Sequence, residues 1–503
     1  MFDCVIYKYL IVNHFFNLID MKKLFGITLL ALMVVFSMTG CKKNYTITVK
    51  SNNDAWGTVT GSGTYKDGET ATLSAIPSQG YYFNCWNDGN TENPRKVVVN
   101  GNAEFIATFS DTPGGGGGGT DDAVVISDAI NANTTWTNHS SGVDYIIEGY
   151  CYIEGNALLT IEPGTTIMFT GSNGNIVVEE NAGLRMVGTS DKPITLTGPT
   201  NNQNPGAWRS VEVKSKRNDN QFEYVNFING GSSNEVVYVE GKLSMKHCSI
   251  VNSASNGVAL GWDGVFTAFE NNVIQKCAGY PITLNAHSKV NCLGTGNTYT
   301  NNTKNMIIID DYWFDEANAT ITFTNQAIPY YLPNGIHVGG NSIMKVNAGV
   351  EFVMAYGKEV AVDDDALIQV EGTSSQKVSF RGLNNENGYW EGLDIDAERS
   401  TNGGSYLNYC QIFNAGMDYD DAALSTDEDT RLVLNNVTFN GSNGYGLEIS
   451  IPVDWDTDQY IFSNYHVTAT GLNFVSCAQG NIYETNKDQV FSNWPGNKQL
   501  ARK

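Results

Sequence analysis

The sequence predicts an all-β protein, a right-handed parallel β-helix in two tandem segments preceded by a small β-rich module. Three observations carry this expectation. Charged residues are only 17% of the 503-residue chain while glycine supplies 52 residues, and no long amphipathic helical stretch follows the N-terminus. Such a composition is poor for helices and suits short strands with many turns. From Val124 onward, VNFIN, CSIVN, NVIQK and NTYTN place Phe227, Ile250, Ile274 and Tyr299 at steps of 23, 24 and 25 residues, and the pattern returns with Ile412 and Phe439. A longer repeat lies over the short one: Gly164 and Gly349 are 185 apart, Gly188 and Gly372 184, Trp208 and Trp390 182, and Tyr224 and Tyr409 185.

Taken in chain order, residues 1–20 read as an upstream extension, with Met21 as the start. Residues 21–40 hold two lysines, an apolar run from Leu24 to Phe36 and small residues before Cys41. This run is too short for a spanning helix and reads as a secretory signal. Met38-Thr39-Gly40-Cys41 resembles the lipobox of bacterial lipoproteins, which implies lipidation of Cys41 and an outer-membrane, cell-envelope location.

Residues 44–110 alternate short strand runs with turn signals at Asp67-Gly68, Asp88-Gly89 and Asn100-Gly101. The order GTV…YKDGETATLSAIP…GYYF…W…AEFIATF resembles the divergent internalin-type B repeat, which implies a spacer or adhesive module in which Trp86 and Tyr81 are core. Residues 111–123 contain six consecutive glycines and read as a flexible tether.

Residues 124–503 are the repeat itself. A coil of 20–25 residues cannot bury its apolar face alone and needs neighbours above and below, and roughly 15 coils would fit this length. Asn and Gly after each apolar run suit corners that need positive φ. Pro163-Gly164 interrupts the alternation of LTIEPGTTIMF and is expected to be such a corner, since its duplicate at 348–349 keeps only the glycine. The two segments should join near residues 310–335. LTIEPGTTIMF…GTSDKPITLTG…PGAWRSV…FEYVNFINGG resembles the pectin-lyase-like β-helix proteins of bacteria, a fold shared by lyases, hydrolases, adhesins and inert scaffolds.

The net charge of -23 argues against nucleic acid as a partner. Residues 310–503 carry 10 Lys/Arg against 27 Asp/Glu, whereas residues 124–309 carry 11 against 15. No Gly-His-Gly occurs, and the histidines form no spaced metal or triad set. Acidic groups recur at about one-coil intervals: Asp363–Asp365, Asp394/Asp396, Asp418/Asp420/Asp421, Asp427–Asp429 and Asp454/Asp456/Asp458. Three readings stand together: a solvated acidic face, a Ca²⁺-binding ridge with Asp454, Asp456 and Asp458 as ligands, or catalytic acids among Asp394, Asp396, Asp418 and Asp420 with Arg399 as base. Aromatic runs DDYWFDE, PYYLP, GYW and DWDTDQY offer Tyr312, Trp313, Tyr389 and Trp455 as sugar-stacking candidates, while Trp208 and Trp390 hold equivalent repeat positions and read as structural.

Seven cysteines beyond Cys41 form no C-x-x-C; buried free thiols are expected, with Cys248–Cys277 as the pair to test for a disulfide. The expectation is a monomeric, membrane-anchored envelope protein whose non-catalytic β-helix binds glycan or another envelope component. The rivals are a polysaccharide lyase or hydrolase acting on an acidic glycan, and a purely structural surface protein.

Overall fold

The structure is a computed structural model that describes residues 43–87, 90, 92–110, 123–139, 142–418, 421–451, 453–454, 459–460, 466–484 and 489–491. Two compact units meet within the glycine run, Met1–Gly114 and Gly115–Lys503.

In the first unit, Asn44–Ser51 runs parallel to Ala103–Ser110 and antiparallel to Gly63–Lys66, while Tyr82–Trp86 closes the other edge. Gly57–Thr60, Thr70–Pro77 and Arg95–Val98 form a second antiparallel sheet. Trp86 is fully buried and donates from Nε1 to the Glu92 carbonyl at 2.9 Å, a core residue as expected. Tyr81 is half-buried and stacks on Trp56 with centroids 5.4 Å apart.

The second unit is a parallel β-helix. Its Phe227 column is continuous: Tyr145, Ile167, Leu196, Phe227, Ile250, Ile274 and Tyr299 are consecutive rung partners in an eight-stranded sheet. All seven are buried. Apolar side chains from successive coils thus stack directly on one another, which gives each coil the partner surface it lacks alone. A thirteen-stranded sheet runs the length of the unit from Tyr150–Ile153 to Asn473–Val475. Ile130 bridges to Ile153 as part of one further coil. The thirteen strands and this further coil make fourteen, close to the 15 or so expected, and coil length varies in both halves: Val178 and its rung partner Val213 are separated by 35 residues. Val360 and its rung partner Leu393 are separated by 33 residues, against 23 between Phe227 and Ile250.

The corners follow the predicted chemistry. Asn229, Asn252, Lys276 and Asn301 form one column with φ between 55° and 63°, and Tyr224, His247 and Asn271 form another with φ between 48° and 56°. Asparagine suits the first column because its amide bonds to the next rung: Asn252 Nδ2 donates to Asn229 Oδ1 at 2.6 Å. Pro163-Gly164 is the bend anticipated. Gly164 has φ of 87° and a Cβ there would lie 2.8 Å from the Asn138 amide nitrogen. Its duplicate Gly349 has φ of 77° and would meet the Asn325 amide nitrogen at 2.6 Å.

Other duplicate pairs also share their geometry. Trp208 and Trp390 are fully buried and donate from Nε1 to the carbonyls of Ile228 and Phe413, at 2.7 and 2.8 Å. Arg217 Nη1 reaches the Asn156 carbonyl at 3.3 Å, and Arg399 Nη1 reaches the Asn341 carbonyl at 2.7 Å. The sheets, however, are reassigned between halves. Thr166–Phe169 lies in the eight-stranded sheet, but its duplicate Glu351–Met354 lies in the thirteen-stranded one. Asn175–Val178 lies in the thirteen-stranded sheet, and its duplicate Glu359–Val362 in a five-stranded sheet private to the second half. The change occurs at the expected junction. The eight-stranded sheet ends at Thr298–Thr300 and the five-stranded sheet begins at Trp313–Phe314.

Cys248 and Cys277 form no disulfide, and none of the seven described cysteines is disulfide-bonded. Cys248 precedes the strand Ser249–Val251, whereas Cys277 follows the next rung, Val273–Gln275, so the two thiols occupy opposite corners of the sheet. Burial pushes the thiols of Cys151, Cys248 and Cys277 up to about 12, which leaves them as inert core groups.

The column architecture has a direct test. Ile250→Ala should destabilise the β-helix by about 2–5 kcal/mol in denaturant titration, because rungs above and below cannot both collapse into the cavity. Val433→Ala, at a position 48% exposed, should change stability by less than about 0.5 kcal/mol.

Candidate functional site

The five-stranded sheet of the second half carries most of the candidate residues, and strand alternation explains their exposure. Ile336, Val360, Leu393 and Leu424 form one buried column, and Phe314, Val338, Val362 and Ile395 another. The residue between them on each strand must point outward. That intervening column reads Trp313, His337, Ala361, Asp394 and Ser425.

At one end the column is aromatic. Trp313 is 56% exposed, and its ring lies 4.3 Å from that of His337. His337 Nε2 lies 2.6 Å from Asp363 Oδ1, and its Nδ1 lies 3.5 Å from the Tyr312 hydroxyl. That hydroxyl donates to Glu359 Oε1 at 2.9 Å; burial, reinforced by Glu359, pushes the Tyr312 phenol up to about 12. An indole face, an imidazole and two carboxylates are thereby held in one network.

At the other end the column opens into a cleft of about 370 Å³ bordered by Glu359, Glu391, Asp394, Asp418, Asp421 and Glu448. Ser425 donates to Asp394 Oδ1 at 2.7 Å. Burial nevertheless raises the Asp394 carboxyl, with Glu359 and Asp427 repelling the ionised form. Glu391 is raised by burial and then by Glu359 and Asp421. Beside the cleft, Asp363, Asp396 and Asp427 directly follow the partnered positions Val362, Ile395 and Thr426, so they form a ridge of one carboxylate per coil. Asp396 in the middle is pushed to about 7, by burial first and then by Asp394, Asp427, Asp364 and Asp363. Like charges at rung spacing cannot all ionise at ordinary carboxylate pH.

Asp394, Asp396, Asp418, Tyr312 and Trp313 thus share one face. Two candidates stand elsewhere. Tyr389 is half-buried at a corner, edge-on to Tyr356 at 5.5 Å, with its N–H donating to the Asn414 carbonyl. Arg399 donates to the carbonyls of Asn341 and Asp365 and to the Thr401 hydroxyl. It repeats the structural bond of Arg217 and does not border the cleft. Cys41, Asp420, Trp455, Asp456 and Asp458 lie outside the described residues, as does the side chain of Asp454. Among the described residues no group of three or more His, Cys, Asp or Glu is placed to hold a metal ion.

His337, Glu359 and Glu391 were missed by sequence reasoning. The first carried a usable signal, since Trp313, His337 and Ala361 follow one another at one-coil steps of 24 residues.

The raised acids make stability pH-dependent with a defined sign. Between the ordinary aspartate range and about pH 7, folded Asp396 holds a proton that the unfolded chain has released, so stability falls as pH rises through that window. The melting temperature should be higher at pH 5 than at pH 8. Asp396→Asn should raise it at pH 8 more than at pH 5, as followed by circular dichroism.

Comparison with known families agrees with these two bodies. Residues 47–113 match the divergent InlB B-repeat domain. Residues 129–268 match the pectate-lyase like beta helix domain. No curated protein and no solved structure matches the chain. The chain therefore joins a divergent InlB B-repeat module to a pectate-lyase-like β-helix.

Proposed function

We propose that the protein is a lipid-anchored cell-envelope protein whose β-helix binds glycan, without turning it over, on the acidic and aromatic face of its second half. The carrying observation is the single outward column that links Trp313 and His337 to Asp394 beside a carboxylate-lined cleft. An exposed indole offers a flat apolar surface for a sugar ring, and carboxylates accept hydrogen bonds from ring hydroxyls. The charge selects the ligand class. Six carboxylates border the cleft, so a polyuronate would be repelled, while a neutral or amino-bearing glycan is compatible. A lyase acting on an acidic polymer is the weaker reading on the same grounds, and its candidate base Arg399 is engaged with backbone carbonyls.

Retention on a panel of neutral, amino-bearing and uronate oligosaccharides tests the reading. The neutral or amino-bearing members should bind. Trp313→Ala, or Asp394→Asn combined with Glu391→Gln, should weaken binding by roughly tenfold, about 1.4 kcal/mol. Release of reducing ends or unsaturated products from any member would establish an enzyme instead.

The anchor rests on Met38-Thr39-Gly40-Cys41 after the apolar run. Cys41→Ala should move the protein from the membrane fraction to the soluble fraction of the producing cell, with loss of metabolic labelling by a fatty-acid probe. Unchanged labelling would remove Cys41 as the lipidated residue.

A further inference from the structure

Trp313, the exposed indole of the acidic face, lies on the first strand of its sheet. That strand, Trp313–Phe314, pairs with Ile336–Val338, and among the described residues no strand pairs with its other edge. A two-residue strand with a single ladder neighbour is weakly held by its own sheet, so the direction of an outward side chain must be fixed from elsewhere.

The fixing groups lie in the segment just before the strand and in the coil beneath it. The Asp310 N–H donates to the Leu284 carbonyl at 2.9 Å, and Asp310 Oδ1 accepts from Asn334 Nδ2 at 3.0 Å. Asp311 Oδ1 accepts the Tyr312 N–H at 2.8 Å, and its Oδ2 lies 3.5 Å from Nδ1 of His287. His287 opens the 3₁₀ turn His287–Cys292 and is fully buried, while the Asp311 side chain is mostly buried. Burial alone would raise the Asp311 carboxyl; His287, by hydrogen bonding and charge, and the Tyr312 N–H hold it below the usual carboxylate range instead. Tyr312 carries the constraint forward. Its carbonyl accepts the His337 N–H at 2.7 Å, its hydroxyl donates to Glu359, and Trp313 then lies against the His337 ring at 4.3 Å.

Two apolar side chains of similar volume could fill the space of the His287 and Asp311 pair without desolvating a charge. What they could not supply is direction. A carboxylate held between an imidazole and a peptide N–H fixes the orientation of that peptide, and with it the side chain that follows.

We propose that His287 and Asp311 are positioning residues, a clamp on the Tyr312 peptide that holds the Trp313 indole outward as the platform of the acidic face. A residue of the first half thereby completes a site carried by the second. The proposal deepens the glycan reading of that face and rests on it for the ligand, whereas the clamp itself can be measured without one.

The test labels the full chain with fluorotryptophan and follows it by fluorine NMR, the Trp313 signal being assigned by its loss in Trp313→Phe. Replacing the pair together, His287→Leu with Asp311→Leu, should leave the protein folded and move the Trp313 signal toward that of free fluorotryptophan. Asp311→Asn, which keeps an acceptor for the Tyr312 N–H, should retain most of the wild-type position. The signals of the buried Trp208 and Trp390 should stay in place in both variants. Binding of a glucosamine hexasaccharide and of its neutral N-acetylated counterpart gives the second readout. The double leucine variant should weaken whichever is bound toward the roughly tenfold loss expected for Trp313→Ala, and combining it with Trp313→Ala should cost nothing further, because the pair acts through the indole. The proposal is overturned if the Trp313 signal of the double leucine variant keeps its wild-type position, or if its binding loss adds to that of Trp313→Ala. It is also overturned if Trp208 and Trp390 shift together with Trp313, which would make the pair a general folding element. Binding of neither oligosaccharide by the wild type would remove the glycan reading of the face, and the fluorine signals would still decide the clamp.

Discussion

Rung-over-rung contact between inward side chains is the constraint on which the rest of the β-helix depends. No single coil can enclose a core, so each borrows the apolar surface of its neighbours through columns such as Ile167, Leu196, Phe227 and Ile250. The ladder hydrogen bonds set the rung spacing, and the spacing then dictates everything at the same height. Outward residues become vertical neighbours whether or not their chemistry suits it. Asparagine corners gain from this, because stacked amides bond to one another. Carboxylates lose, because stacked negative charges repel.

The duplication is more than a sequence echo, and it is less than a superposition. Gly164 and Gly349, Trp208 and Trp390, and Arg217 and Arg399 keep the same local bonds in both halves. Yet equivalent strands lie in different sheets, because one sheet closes at Thr298–Thr300 and another opens at Trp313–Phe314. Around this change, the 3₁₀ turn His287–Cys292 takes the place of a strand, and Asn291 bonds to the Thr320 carbonyl and the Thr322 amide of the next coil. Buried His287 faces Asp311 at 3.5 Å at the same junction. Corner glycines and indole anchors are local devices that move with their coil. Sheet membership is a property of the stack, and so the second copy was free to present its residues on a new face.

This division explains what was legible. The period shows openly where the corners are short, so Phe227, Ile250, Ile274 and Tyr299 fall at nearly even steps. Longer coils hide it in both halves: Val178 and Val213 are rung partners 35 residues apart, and Ala361 and Asp394 are 33 apart. Asp394 and Trp313 were recognisable as chemically interesting residues, but their shared column was not. Nor was the role of Arg399, since a guanidinium bound to carbonyl oxygens leaves no trace in composition. The disulfide expectation failed for a related reason. Cys248 and Cys277 are separated by little more than one period, yet they flank opposite ends of adjacent strands.

The same stacking that builds the core therefore also decides what its outward surfaces carry. On the five-stranded sheet, carboxylates collect at one per coil until Asp396 holds a proton near neutral pH. Removing the charge there would relieve repulsion, so the fold itself gives no reason for so many acids on one ridge. On the thirteen-stranded sheet, Thr283 holds a hydroxyl that nothing in the chain satisfies, beside tyrosines of two different coils. Each feature costs stability at a position where a neutral or apolar side chain would fit. Unpaired hydroxyls are not confined to such surfaces, since Thr426 on the inward Ile395 column also holds one, and it is the crowding of carboxylates that marks the acidic face off from the scaffold.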